Sequence, residues 1–307
     1  MMAPVRRIEA AQADPVRGIV RFDLSKALWN GGAIALAAAA PFAFSWTAFI
    51  LAVVLTYLTM LLGHSIGMHR MMIHRTFRAR PWLARVLIYL GVIVGMGGPS
   101  RIIATHDLRD WAQRQPACHD FFAHRRGYLI DIAWQLFCRF EFEHPPKLVI
   151  EPELQDDPFY RFLDRTWRWH QIPVAALLFL AAGWPGVVWG IGVRLAISVI
   201  GHWTITYVCH NPGPARWHVR GAAVQASDLP GMAFLTHGEC WHSNHHAFPE
   251  SARIGLEPGQ MDPAWTVICG FERLGWVYDV QGPRAPLARE DLYEAHSQPV
   301  SPLVSRR

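Results

Sequence analysis

Cysteine and charge are both scarce in this chain. Its five cysteines (Cys118, Cys138, Cys209, Cys240 and Cys269) are scattered over 307 residues and form no CxxC pair. That pattern argues against a disulfide framework or a zinc ribbon and suits a reducing, cytosol-facing setting. Only 17% of residues are Asp, Glu, Lys or Arg, against 51% hydrophobic. Such a balance points to a membrane protein rather than a soluble domain. The net charge of +5 has no basic stripe with interleaved aromatics behind it, so nucleic acid is not expected as a partner. Internal repeats and heptads are absent. So is an apolar core near residue 1, and the N-terminal segment does not read as a cleaved signal peptide.

Long uncharged runs are what the chain has instead. Ala27 to Gly63 contains no charged side chain, enough for nearly two spans of about 20 residues each. Pro41 to Trp46 is the natural turn of a helical hairpin. Gln171 to Cys209 contains a single charge, Arg194, and Gly183-Trp-Pro-Gly186 divides it into a second pair. Trp82 to Gly98 holds Arg85 and a glycine-rich end, and reads as an interfacial or re-entrant helix. Arg6, Arg7, Arg17, Arg21 and Lys26 precede the first hairpin, and Arg70, Arg75, Arg78 and Arg80 follow it. The turns near Pro41 and Pro185 carry no charge, so the positive-inside rule puts both termini and both long polar segments in the cytosol. The expected architecture is all-α and integral to the membrane, with four spans in two hairpins under a cytosolic helical cap. Residues 1–24 form a cytosolic tail, 25–282 the membrane domain, and 283–307 a loosely ordered tail rich in Pro and Ser.

Histidines gather at the ends of the apolar runs. His69 and His74 follow the first hairpin, and His119 and His124 lie in the first polar segment. His210 closes the last apolar run, and Gly238-Glu-Cys-Trp-His242-Ser-Asn-His245-His246-Ala-Phe-Pro249 adds three more. A single zinc needs about four ligands, so eight imidazoles on one side of a membrane fit two metal ions better. All-nitrogen ligation suits iron chemistry with oxygen.

The patterns GxxxGxHRxxxHRxF, RDWA, a helix ending in His210, and GExWHxNHHxFP together resemble the membrane-bound fatty acyl desaturases of the acyl-CoA Δ9 type. The resemblance runs from roughly Leu28 to Val280. It implies a diiron centre that uses O2 and two electrons to remove two hydrogens from an acyl chain. The implied ligands are His69, His74, His119, His210, His242, His245 and His246. Glu239 is expected to orient one of these imidazoles, and Arg70 and Arg75 either to bind lipid phosphate or CoA or to pair with acidic groups. No haem or flavin fingerprint is present, so the electrons must come from outside, from a ferredoxin or from cytochrome b5 with a reductase. The substrate is an acyl-CoA or a membrane lipid.

One box departs from the family. Where the family has HRxHH after its RxWA-type segment, Arg109-Asp-Trp-Ala112 leads to Gln115-Pro-Ala-Cys118-His119, so Gln115 and Cys118 stand for two histidines. Thr206 replaces the family's Asn before the last-helix histidine. His124 is the preferred replacement ligand, with His106 as the alternative. A Cys118 thiolate beside an oxidising centre would risk its own oxidation. Two other readings stay open: a histidine-rich hydroxylase of an alkane, sterol or carotenoid, and a degenerate, non-catalytic metal- or lipid-binding membrane protein.

Overall fold

A computed structural model describes residues 7–283 and 289–295, and it is mostly helical. In chain order, β1 (Ile8–Glu9) and β2 (Gly18–Phe22) precede α1 (Leu24–Ala37) and a short turn of helix at Ala40–Phe42. The long helix α2 (Trp46–Ile73) follows, then β3 (Arg78–Ala79), α3 (Pro81–Ile93) and α4 (Pro99–Arg114). Next come α5 (Asp120–Ala123), α6 (Tyr128–Phe137), β4 (Cys138–Phe142), β5 (Lys147–Leu148), α7 (Pro152–Gln155) and α8 (Pro158–Thr166). The last third holds α9 (Gln171–Cys209), β6 (Trp217–Val219), α10 (His242–Ala247), α11 (Pro263–Arg273), β7 (Val277–Tyr278) and β8 (Leu292–Glu294).

The strands are short antiparallel pairs: β1 with β5, β2 with β4, β3 with β7 and β6 with β8. They correct the all-α expectation by small additions and tie the chain's ends to its middle. Residues 7–22 are therefore packed in place. The segment beyond Gly282 was expected to be loosely ordered, yet its Leu292–Glu294 is paired with Trp217–Val219. The rest of that segment, residues 284–288 and 296–307, lies outside the described residues.

Both expected breaks in the apolar runs are present. Ser45 caps α2 after the turn at Ala40–Phe42, accepting a bond from the N–H of Ala48. In α9 the helix is interrupted at Ala182 and Gly183, where Gly183 has φ +62°. Helices α2 and α9 are long and apolar enough to cross a membrane. The apolar faces of α1, α2 and α9 stay uncovered: Leu28, Ile50, Leu177, Leu180 and Ile197 are all exposed.

Helix α2 is the spine of the interior. One apolar cluster joins its Leu61 and Ile66 to Leu87 of α3 and Ile268 of α11. A second joins Met68 and Met72 to Ile88, Ile103 of α4 and Leu163 of α8. Helix α3 lies so close to α2 that a Cβ on Gly63 would sit 2.3 Å from the backbone nitrogen of Gly91. Only glycine fits there, which gives the GxxxG portion of the motif a packing role.

Candidate metal centre

From Thr59 to Ile73, α2 widens to i→i+5 hydrogen bonding, and the N–H of His74 donates to the carbonyl of His69 at 3.0 Å. The widening has a consequence for the side chains. In an α-helix, residues five apart point about 140° away from each other, whereas here the His69 and His74 Nε2 atoms are 3.2 Å apart. Local π-helical turns of this kind occur frequently at functional sites.

Two groups of imidazoles result. His69, His74, His106 and His245 offer nitrogens that all lie within 4.8 Å of one another, and His210, His242 and His246 form the second group. In the first, His74 Nε2 is 3.2 Å from both His69 Nε2 and His106 Nε2. In the second, the three Nε2 atoms make a triangle with sides of 3.1, 3.3 and 3.3 Å. Nitrogens about 2.1 Å from a common metal ion are separated by about 3.0 Å when cis, so both groups have ligand spacing.

The tautomers agree with that spacing. His69 Nδ1 faces Glu239 Oε2 at 2.9 Å, His106 Nδ1 faces Asp107 Oδ1 at 3.0 Å, and His210 Nδ1 donates to the Thr206 carbonyl at 2.7 Å. Each partner fixes the ring proton on Nδ1 and leaves the Nε2 lone pair aimed inward, a recurrent device around metal-binding imidazoles. His245 Nδ1 and His242 Nδ1 are buried without a partner among the described residues. Burial, together with the neighbouring Arg109, lowers His242 to about 4, and burial holds His245 and His246 well below the usual imidazole range. At neutral pH these rings are uncharged and able to ligate. The donor set fits a pair of metal ions.

The contacts behind His106 and His69 extend further into the protein. Arg7 donates to the carbonyls of Met72 and Ile73 at the end of α2 and pairs with Asp107 at 3.0 Å and Glu151 at 2.7 Å. A residue near the N-terminus thus steadies His106 through Asp107. Gly238 has φ +96°, and a Cβ there would lie 2.5 Å from Asp262 Oδ1. Its freedom lets Glu239 turn toward α2. Burial pushes the Glu239 carboxyl up, but Arg70 and His245 outweigh it and keep the group below its ordinary range.

The altered box needs correction at this point. His119, expected as a ligand, lies in neither group: it caps α5, accepts a bond from the Phe121 N–H at 3.1 Å, and packs on Phe140. Gln115 donates to the Trp111 carbonyl at the end of α4, and burial pushes the Cys118 thiol up to about 11. His106 stands among the nitrogens instead. Positions 106, 109 and 110 repeat the i, i+3, i+4 spacing of HRxHH on one face of α4. The box is therefore His106-Asp-Leu-Arg109-Asp110, one segment earlier than the sequence reading put it. The spacing was the available signal, but two of its three positions are not histidine.

His124 is fully buried beside the second group, its ring stacked on His210 at 5.4 Å. Asp131 holds its Nδ1 at 3.0 Å, and its Nε2 has no partner among the described residues. Thr206 acts through its carbonyl, as noted. Arg70 is 1% exposed. It pairs with Glu239 at 3.2 Å and Asp262 at 3.0 Å and donates to the carbonyls of Ala252 and His237. Of its two expected roles it takes the pairing one, acting as an internal strut. Arg75, partly exposed, pairs with Glu151 at 3.3 Å.

An apolar cavity of about 650 Å³ reaches the imidazoles. His69, His106, His242 and His246 are in its lining, together with Ala52, Val53 and Ile197 of α2 and α9. Its size lies within the ordinary range for a small-molecule site.

A mostly helical protein with two apolar candidate spans, carrying grouped imidazoles in the lining of an apolar cavity, has the makings of a membrane-associated metalloprotein. Residues 44–258 match the fatty acid desaturase family model, and the chain belongs to that family. It is 32% identical over 267 residues to an acyl-CoA 5-desaturase of Anemone leveillei, covering 85% of this chain and 80% of the relative. It is 31% identical over 252 residues to the sn-1 stearoyl-lipid 9-desaturase of Anabaena variabilis, covering 80% of this chain and 89% of the relative. A third relative, the sn-2 palmitoyl-lipid 9-desaturase of a Nostoc strain, is 31% identical over 243 residues, 78% of this chain and 84% of the relative.

Proposed function

We propose that the protein is an O2-dependent fatty acyl desaturase with a two-iron centre. The observation that carries this reading is the pair of imidazole groups in the lining of an apolar cavity. His69, His74, His106 and His245 would hold one ion, and His210, His242 and His246 with the free Nε2 of His124 would hold the other. Iron in such a site supplies the O2-derived oxidant that an unactivated C–H bond requires.

The protein's own residues do the rest. Apolar side chains of α2 and α9 bind the acyl chain and exclude water, and the cavity's fixed end sets which carbons reach the imidazoles. Glu239, Asp107 and the Thr206 carbonyl keep the proton on Nδ1 of their histidines, so the rings stay in register without reorganising. The exposed apolar faces of α1, α2 and α9 support four spans in two hairpins, with the termini and the imidazoles on the cytosolic side. Two electrons would come from an external donor, a ferredoxin or cytochrome b5 with its reductase. The acyl carrier is either CoA or a membrane lipid.

The test is iron per chain in detergent-purified full-length protein, with product analysis after supply of a donor system and acyl substrates. Two irons and an alkene product are expected. An alcohol product would move the protein to the hydroxylases, and a chain that takes up no iron would overturn the reading.

A further inference from the structure

The altered box leaves two side chains at the centre whose chemistry the imidazoles do not explain. Arg109 and Asp110 occupy the i+3 and i+4 positions after His106 on α4, and all three line the cavity. We infer that Asp110 supplies a carboxylate ligand to the dimetal centre where the family pattern has an imidazole, and that Arg109 balances its charge. The inference rests on the dimetal reading above.

Four observations carry it. Asp110 Oδ2 lies 3.9 Å from His106 Nε2, the ring nitrogen that faces the first group. Two ligands about 2.1 Å from one ion are separated by about 3.0 Å when cis and about 4.2 Å when trans, which brackets that distance. The carboxylate also lines the same cavity as His69 and His106 of the first group and His242 and His246 of the second. Its side chain is only 16% exposed, yet no hydrogen-bond donor reaches it among the described residues. A carboxylate so enclosed and without a donor keeps its oxygen lone pairs available to a metal ion.

Arg109 completes the case. Its side chain is buried, its Nε has no partner among the described residues, and its guanidinium lies 5.7 Å from the ring of Trp203. The Trp203 ring that it faces lies 6.4 Å from the ring of His124, beside the second group. Unopposed, the guanidinium would repel a metal ion there. Replacing two neutral imidazoles by one cation and one anion leaves the formal charge of the centre unchanged, which neither substitution does alone. A carboxylate oxygen also suits iron.

The experiment compares full-length wild type with Asp110→Asn and Asp110→His after loading with ferrous iron. It reads iron per chain and the number of imidazoles in the metal's outer-shell X-ray scattering. The expected result is about two irons in wild type, about one in Asp110→Asn, and about two in Asp110→His with one extra imidazole in the scattering. The Asp110→His variant guards against misfolding, because recovery of the second iron requires a folded centre. Wild type and Asp110→Asn each holding two irons with identical scattering overturns the inference alone. Wild type holding one iron or none overturns the dimetal reading and the inference with it.

Discussion

His106 and His119 look alike in the sequence, each a histidine beside an aspartate, and they differ in what the helix does around them. His106 lies inside α4 with its ring turned to the cavity, whereas His119 precedes α5 and spends a ring nitrogen on capping. His106→Ala should therefore lower iron per chain by about one, while His119→Ala leaves it unchanged and costs only the roughly 0.5–2 kcal/mol of a lost cap. Elemental analysis and a melting curve on the same samples separate the two. The sequence reading favoured His119 because it followed an RxWA-type segment. Spacing against a one-residue motif anchor cannot show which residues a helix turns inward. The third box and the His69–His74 pair were legible, because glycines and aromatics there fix the register along with the histidines. Arg70 belongs to the same scale: it balances two buried carboxylates, so Arg70→Met leaves Glu239 and Asp262 unpaired. Breaking such a pair costs about 3–5 kcal/mol, and the melting temperature should fall steeply without any change in substrate preference among the protein that survives.

At the level of elements, the close approach of α2 and α3 is what holds the widened turn bearing His69 and His74. A methyl group on Gly63 would meet backbone on α3 at 2.3 Å, and backbone cannot step aside as a side chain can. Gly63→Ala is thus expected to destabilise by at least the roughly 1–3 kcal/mol typical of overpacking, and to loosen metal binding as α2 shifts. Gly31→Ala is the matched control: it lies in α1 with nothing within 4 Å of its added Cβ. Helix propensity then makes it neutral or stabilising by up to about 1 kcal/mol. Equal melting temperatures for the two variants would refute the packing role. The existence of these helices and the breaks at Ala40–Phe42 and Gly183 follow from apolar runs and from Pro and Gly, so they could be read without coordinates. The i→i+5 widening could not, because no residue type encodes it and tertiary packing sets it.

For the whole molecule, the length of α2 relates the membrane to the centre. Its 28 residues would extend about 42 Å at 1.5 Å per residue and somewhat less with the widened part from Thr59 to Ile73, whereas the hydrocarbon layer is about 30 Å thick. If the helix enters the layer near Trp46, its far end emerges, and that end includes His69. The imidazoles then stand at the membrane surface, while Ala52 and Val53, which line the same cavity, lie within the layer. The proposed cytosolic placement of the emerging side rests on charge, since arginines flank that end and the turn at Ala40–Phe42 has none. Sidedness is open to a direct check in intact cells with a membrane-impermeant maleimide. Phe44→Cys, at the uncharged turn and exposed, should label from outside, and Cys118, beyond α4, only after the cells are opened. Reverse labelling would turn the molecule over and put its centre out of reach of a cytosolic electron donor. The chemistry of the site would survive that result, but its supply of electrons would have to be found on the other side.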